Sequence, residues 1–494
     1  MNEVKGRPIR VRMAPSPTGP LHIGTARTSL YNYLFSRHTG GTYVLRIEDT
    51  DLARSTVDHE QDIIDNLHWL GITWDEGPQV AGGDDIGDYG PYRQSQRWDL
   101  YAAEADRLIE AGSAYHCWCT PEELDAVRQQ QERDHEPPRY NGRCLRLADA
   151  ERAQFEVEGR KPAVRFKVPP EKVRFDDLIR GEVEFDNALL GDFVIVRGGG
   201  VPLYHFVVVV DDEKMAITHV IRGEDHLSNT PKHIALIRAL GYTEPRFAHI
   251  PLILNADRSK MSKRRSQTAI TAYREQGYLP EAMVNFLAFL GWSPGTEEEI
   301  FSLEELSQRF ELSHVHKAGA VFDGDRLDYL NGVYIRSLSD EQLALRLRPF
   351  LPEALDDDAV VRVVPLIKER LVRLSDAGEL VAFLVETDAE IAALYGAEDL
   401  IPKGRSLADA DVALAAGREA LGDLDDADFA ADVLESRCRQ AAENLGWKAG
   451  DLFRPLRTAV TGRSVSPPLF ASMELLGRER VLARIDAALA KAVA

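Results

Sequence analysis

Two short stretches carry residue types suited to a phosphorylated ligand. In the first, His22-Ile23-Gly24-Thr25 follows a loop rich in proline and glycine, Ala14-Pro15-Ser16-Pro17-Thr18-Gly19-Pro20. It opens a run with apolar residues at helical spacing: Ile23, Ala26, Leu30 and Leu34. A helix N-terminus offers unpaired N–H groups and a partial positive charge, and both suit phosphate. Gly24 allows close approach to the backbone, and His22 can donate a hydrogen bond to an anionic oxygen. In the second stretch, Lys260-Met261-Ser262-Lys263-Arg264 follows the apolar segment from Ala248 to Leu254. The ammonium groups of Lys260 and Lys263 suit the charge that builds on a triphosphate as it is cleaved. Taken singly, the first stretch also reads as a loop histidine beside a glycine, and the second as a solvated basic loop. Their joint occurrence is the specific signal.

Both must be held by a scaffold. Ile9, Val11 and Met13 alternate with Arg10 and Arg12, the period of a half-buried strand. A second strand, from Thr42 to Ile47, ends on Glu48-Asp49-Thr50-Asp51. Strand, loop, helix, strand is the opening of a parallel α/β sheet, whose ligands gather at the carboxyl ends of the strands. The pattern returns with a strand from Ala216 to Arg222, an Asn229-Thr230-Pro231 helix start and a stop at Gly241. Between the two pieces, from about Gly112 to Pro202, short β-rich segments predict an inserted module, with Gly198-Gly199-Gly200 as a tight hairpin turn. Beyond Leu327 strands vanish. Ser339-Asp340-Glu341-Gln342 has the form of a capping box, and amphipathic helical runs follow, among them Leu366 to Leu374, Asp428 to Leu445 and Glu479 to Val493.

At 494 residues the chain exceeds one ordinary core. The N-terminal residues show no apolar core behind their charges, so a signal peptide is not expected. The longest apolar runs, such as Phe206 to Val210, are strand-sized and too short to span a membrane. The expectation is a cytoplasmic protein with no membrane partner. A net charge of −21 and a pI near 5.1 argue, alone, against a nucleic-acid partner, because phosphate affinity comes from clustered Lys and Arg. Local fields can override the total. Three of the four cysteines, Cys117, Cys119 and Cys144, are clustered, which suggests a metal more than a disulfide. Cys438 stands apart, as a small buried apolar residue would.

The chain resembles a known family. His22-Ile23-Gly24-Thr25 and Lys260-Met261-Ser262-Lys263-Arg264 look like the two signature motifs of class I aminoacyl-tRNA synthetases. The stretches from Arg12 to Gly19, Arg46 to Asp51, Gly90 to Ser95, Val209 to Asp212 and Val220 to His226 are similar to bacterial glutamyl-tRNA synthetases, in the same order and over essentially the whole chain. The resemblance implies a Rossmann-like α/β catalytic domain (1–111 and 203–255) with an inserted α+β acceptor-stem module (112–202). It further implies a helical stem-contact module (256–326) and an all-helical anticodon-binding region (327–494).

The implied reaction joins L-glutamate to ATP as glutamyl-adenylate and then transfers the glutamyl group to the 3′ end of tRNA(Glu). Such chemistry needs positioning and charge stabilisation more than a protein nucleophile. By resemblance, ATP falls to His22, Gly24, Asp225, Ile253, Lys260, Ser262, Lys263 and Arg264, with Mg²⁺ accompanying it. His22, Gly24, Lys260 and Lys263 are the catalytic set. Arg12 and Tyr204 take the γ-carboxylate and Arg222 the α-carboxylate, while Ser16 and Glu48 take the ammonium and Ala14 completes the glutamate pocket. Arg370 falls where the family reads the anticodon. Some members carry one structural Zn²⁺ on Cys-x-Cys, a later Cys and a Tyr, here Cys117, Cys119, Cys144 and Tyr140; three unmetallated thiols are the equal alternative. A monomer is expected.

Overall fold

The structure, a computed structural model, describes residue 4, residues 6–261 and residues 268–493. Ser262, Lys263 and Arg264 therefore lie outside the described residues. The chain divides into two compact units: Met1–Arg274 with Pro280–Gly324, and Glu275–Leu279 with Asp325–Ala494.

The first unit is built on parallel strands. Arg10–Met13 pairs in parallel with Thr42–Leu45, and His219–Gly223 pairs in parallel with Arg246–Ile250. The two pairs meet where the Thr218 N–H donates to the Arg10 carbonyl at 2.9 Å. The first strand is not half-buried: all four of its residues are covered. Helices on both faces remove the polar side that its alternation predicts, and Arg10 and Arg12 are buried with carboxylate partners, Glu76 and Asp212. The run Phe206 to Val210 lies inside the helix Tyr204–Lys214 and is buried all round. An apolar stretch of that length fits a core helix as well as a strand.

Within the inserted stretch, Ala114–Cys117, Ala163–Phe166 and Phe193–Val196 form an antiparallel sheet. The glycine triplet is a turn, with the Arg197 N–H donating to the Val201 carbonyl and Gly200 at φ +83°. The hairpin of Lys172–Asp177 and Gly181–Asp186 stands apart from this sheet. It joins the edge of the parallel sheet through a single pairing, Asp177 with Phe247. Thr120 and Glu123 cap the helix Pro121–Arg133 reciprocally.

The second unit is helical, and among the described residues no strand follows Val321. Ser339 and Gln342 form the capping box. Residues from Phe383 to Ala492 share one apolar core that includes the buried Cys438. The helical run from Leu366 to Leu374 is not continuous. The helix Asp357–Ile367 contains Pro365, tightens to a 3₁₀ turn at Lys368–Arg370 and ends. Lys368, Arg370 and Arg373 therefore share no helical face: Lys368 binds Asp340 at 3.0 Å, Arg373 binds Asp328 at 2.8 Å, and Arg370 is exposed.

Candidate active site

A cleft of about 1150 Å³ opens at the carboxyl ends of the parallel strands. Arg12, Ala14, Ser16, His22, Gly24, Glu48, Tyr204, Arg222, Asp225, Ile253 and Lys260 all line it. They arrive from several different elements, as sheet-edge sites require. Arg12 is on the first strand and Arg222 on the strand His219–Gly223. Tyr204 opens the helix that follows the glycine turn. Glu48 follows the second strand, and its N–H donates to the Pro15 carbonyl at 2.9 Å, tying it to the loop that carries Ser16.

His22 caps the helix Ile23–Thr39, with Nδ1 accepting from the Gly24 N–H at 3.1 Å and the Thr25 N–H at 3.3 Å. The Ile23 N–H donates to the Thr268 carbonyl, and the Ala26 N–H to the His22 carbonyl. The unpaired first-turn donors that the motif suggests are thus already engaged. Because Nδ1 accepts, a neutral His22 carries its proton on Nε2, beside Thr25 Oγ1 at 2.9 Å. Gly24 has a steric role: a Cβ there would meet His22 Cε1 at 3.0 Å, so its absence lets the ring fold over the helix end.

Lys260 reaches Asp225 at 3.5 Å, both half exposed. Gly223 makes room for that carboxylate, since a Cβ would lie 2.5 Å from Asp225 Oδ1. The Met261 N–H donates to the Ile253 carbonyl. Lys260 and Thr268, on either side of residues 262–267, both line the cleft.

The inner end holds buried charge that sequence reasoning did not assign. Arg46, fully buried, binds Asp212 at 2.8 Å and Glu48 at 3.2 Å, and Arg12 binds Asp212 at 3.1 Å. Arg97 holds the fully buried Asp211 at 2.7 Å. Burial opposes ionisation of Asp212, yet Arg12 and Arg46 outweigh it and keep its carboxyl below the usual range. Burial dominates at Glu48 and raises it, with Arg46 and Arg12 pulling the other way. The readable signal was the pair Asp211-Asp212 closing a run of four valines, two acids that a core helix keeps only when paired.

Arg222 differs from the other three arginines. It is buried, and among the described residues no carboxylate pairs with it. Its guanidinium donates to His249 Nε2 at 3.2 Å, Thr230 Oγ1 at 2.8 Å and the His226 carbonyl at 3.4 Å, and lies 3.1 Å from His233 Nδ1. Burial holds His226 and His205 near a pKa of about 4 and His233 well below its ordinary value, so these rings are neutral. Tyr204 Oη lies 3.0 Å from His226 Nδ1, and burial pushes its pKa up to about 12. Arg12, Arg46 and Arg97 each contact a carboxylate directly, whereas Arg222 is separated from the nearest one in its shell, Asp177, by the His249 ring. A buried cation with no carboxylate in direct contact, at the inner end of a cleft, is a candidate anion site.

The profile described as tRNA synthetases class I (E and Q), catalytic domain, matches residues 8–329. The chain belongs to this family. A second profile, an anticodon binding domain, matches residues 342–489. A curated glutamate--tRNA ligase of Acidothermus cellulolyticus is 47% identical over 494 aligned residues, 98% of this chain and 95% of that protein. One from Heliobacterium modesticaldum is 46% identical, covering 97% and 96%. Among solved structures, a glutamate tRNA ligase from Elizabethkingia meningosepticum, in complex with its amino acid, superposes with a TM-score of 0.84 at 34% identity, covering 98% of this chain and 99% of that one. The class I catalytic domain followed by a helical anticodon-binding domain is therefore the architecture of this chain.

The three cysteines also come together. The Sγ atoms of Cys117, Cys119 and Cys144 lie within 4.8 Å of one another, and none is in a disulfide. Tyr140 Oη is 3.6 Å from Cys117 and 3.5 Å from Cys119. A tetrahedral zinc with Zn–S near 2.3 Å spaces its sulfurs about 3.8 Å apart, so this donor set fits the ion. No helix is long and apolar enough to cross a membrane among the described residues.

Proposed function

We propose that this chain is a glutamate--tRNA ligase that activates L-glutamate with ATP and transfers it to the 3′ end of tRNA(Glu). One observation carries the substrate assignment: the buried Arg222, without a counter-ion, at the inner end of the cleft. The α-carboxylate of an amino acid supplies the direct counter-ion that Arg222 lacks. In this reading Arg222 takes the α-carboxylate and Arg12 with Tyr204 the γ-carboxylate. Glu48 and Ser16 take the ammonium, and Ala14 lies beside the chain. ATP with Mg²⁺ sits against His22, Gly24, Asp225, Ile253 and Lys260, together with Ser262, Lys263 and Arg264 of the second motif. His22 Nε2–H and the lysines meet the phosphate charge as the adenylate forms.

Glutamine lacks the γ-carboxylate charge that Arg12 would meet, so the same pocket disfavours it. Arg370, exposed within the segment matched by the anticodon-binding profile, is proposed to face the anticodon. Burial, and then the field of Arg370, lower the pKa of the half-buried Arg457, so the two cations lie close enough to feel each other. The protein is proposed to act as a cytoplasmic monomer with one structural zinc on Cys117, Cys119, Cys144 and Tyr140. Protein purified without chelator is expected to hold about one equivalent of zinc, and less than about half an equivalent would contradict the site.

The deciding assay charges purified tRNA(Glu) and tRNA(Gln) with each of L-glutamate and L-glutamine. Glutamylation of tRNA(Glu) is expected. Charging by glutamine alone, or no charging, would reject the reading.

A further inference from the structure

The acceptors that surround Arg222 need a fixed polarity. His249 Nε2 accepts from Arg222 Nε at 3.2 Å and faces Thr230 Oγ1 at 3.0 Å. A guanidinium only donates, so Nε2 must present a lone pair. The proton must then sit on Nδ1, which lies 2.6 Å from Asp177 Oδ2. Both side chains are fully buried. With this tautomer the shell is consistent: Thr230 Oγ1 accepts from Arg222 Nη2 and can donate its own proton to the His226 carbonyl at 3.4 Å, leaving the single lone pair of His249 Nε2 to Arg222. On the other side His233 Nε2 faces His205 Nδ1 at 3.2 Å, leaving His233 Nδ1 to accept from Arg222. Asp177 is brought there by the hairpin, whose single pairing to the parallel sheet falls on this residue.

We propose that Asp177 and His249 are positioning residues for Arg222. The carboxylate fixes the imidazole tautomer, and the imidazole lone pair steers the guanidinium without cancelling its charge. A carboxylate in direct contact would hold Arg222 equally well but would neutralise the cation that an anionic substrate group needs. Inserting one neutral ring between them separates orientation from charge. This inference rests on the assignment of Arg222 to the glutamate α-carboxylate.

Asp177→Asn tests it. Oδ1 accepts from the N–H groups of Ile179, Arg180 and His249 at 3.0, 2.8 and 3.2 Å, and an asparagine oxygen can keep all three. The Oδ2 position becomes an NH₂ donor, which forces the His249 proton onto Nε2, facing Arg222 donor to donor. In tRNA(Glu) charging, the KM for L-glutamate is expected to rise about ten- to a hundredfold, the worth of one hydrogen bond to a charged group, with the KM for ATP nearly unchanged. In a His249→Gln background, where an amide oxygen replaces Nε2 and needs no tautomer, Asp177→Asn should add little. If Asp177→Asn does not fold, His249→Ala must show the same glutamate-specific rise. An unchanged glutamate KM, an equal rise for ATP, or full additivity of the two substitutions would overturn the proposal. Failure of the wild-type protein to charge with glutamate would instead overturn the functional reading.

Discussion

Arg12 and Asp212 show how a single pairing divides the work of a site between binding and stability. Arg12 lines the cleft but also binds Asp212, which Arg46 binds independently. Removing Arg12 leaves Asp212 with its second partner. Arg12→Ala is therefore expected to abolish glutamate charging at little cost in stability, so normal charging or a large fall in thermal midpoint would reject the assignment. Asp212→Asn is the opposite case, since it strips a shared counter-ion from two buried guanidiniums. A loss of about 3–5 kcal/mol in unfolding free energy is expected from denaturant titration, the cost of breaking a buried pair. Neither effect was legible from spacing. Arg12 and Arg222 stood out because each ends a strand of an α/β pattern, and pattern reports position. Asp212 was overlooked because pairing between residues 200 apart in the chain leaves no local trace. The tautomer of His22 was hidden for the same reason, since a motif names the ring and not which of its nitrogens is already engaged.

At the scale of elements, the sequence reading was strongest where local chemistry decides. The turn at Gly198-Gly199-Gly200, the cap at Ser339 and the stop at Gly241, with φ +69°, depend on residues within a few positions and were readable. The Asn229 side chain makes no capping bond, because a 3₁₀ turn already leads into that helix. The first strand was misread as half-buried, and the strand-sized run Phe206 to Val210 proved helical, because burial on every side comes from packing partners, which periodicity cannot supply. That packing has a consequence for pH. His205, His219 and His226 are each held near a pKa of about 4 by burial, against an ordinary value of 6.5. Between those values the unfolded chain binds protons that the folded chain does not, so stability falls as pH drops through the window. Thermal midpoints are expected to decline from about pH 6.5 toward about pH 4, before most carboxylates protonate. A midpoint flat across that interval would contradict the neutral, buried state of these rings.

For the whole molecule, the net charge of −21 sits beside a family match that implies a polyanionic partner. The two are compatible only if RNA contacts rest on local cationic patches, which salt screens, while the proposed glutamate pocket is lined by buried charges. The KM for tRNA is accordingly expected to rise steeply with ionic strength and that for L-glutamate only weakly; parallel salt dependences would argue against this division. The long-range build also governs when the site can exist at all. The Ile23 N–H is bonded to the Thr268 carbonyl, the Ile270 N–H to the Leu21 carbonyl, and the buried Arg27 to the carbonyls of Pro251 and Leu290. The proposed nucleotide cradle is therefore stitched from the two ends of a segment of more than 200 residues. A chain emerging from the ribosome has its first motif and flanking strands long before the residues that tie down this helix N-terminus, Pro251, Thr268 and Leu290, are synthesised. On the proposed assignment of ATP to this cleft, a product ending before Ile270 lacks these ties and is expected to be inert, not nucleotide-consuming.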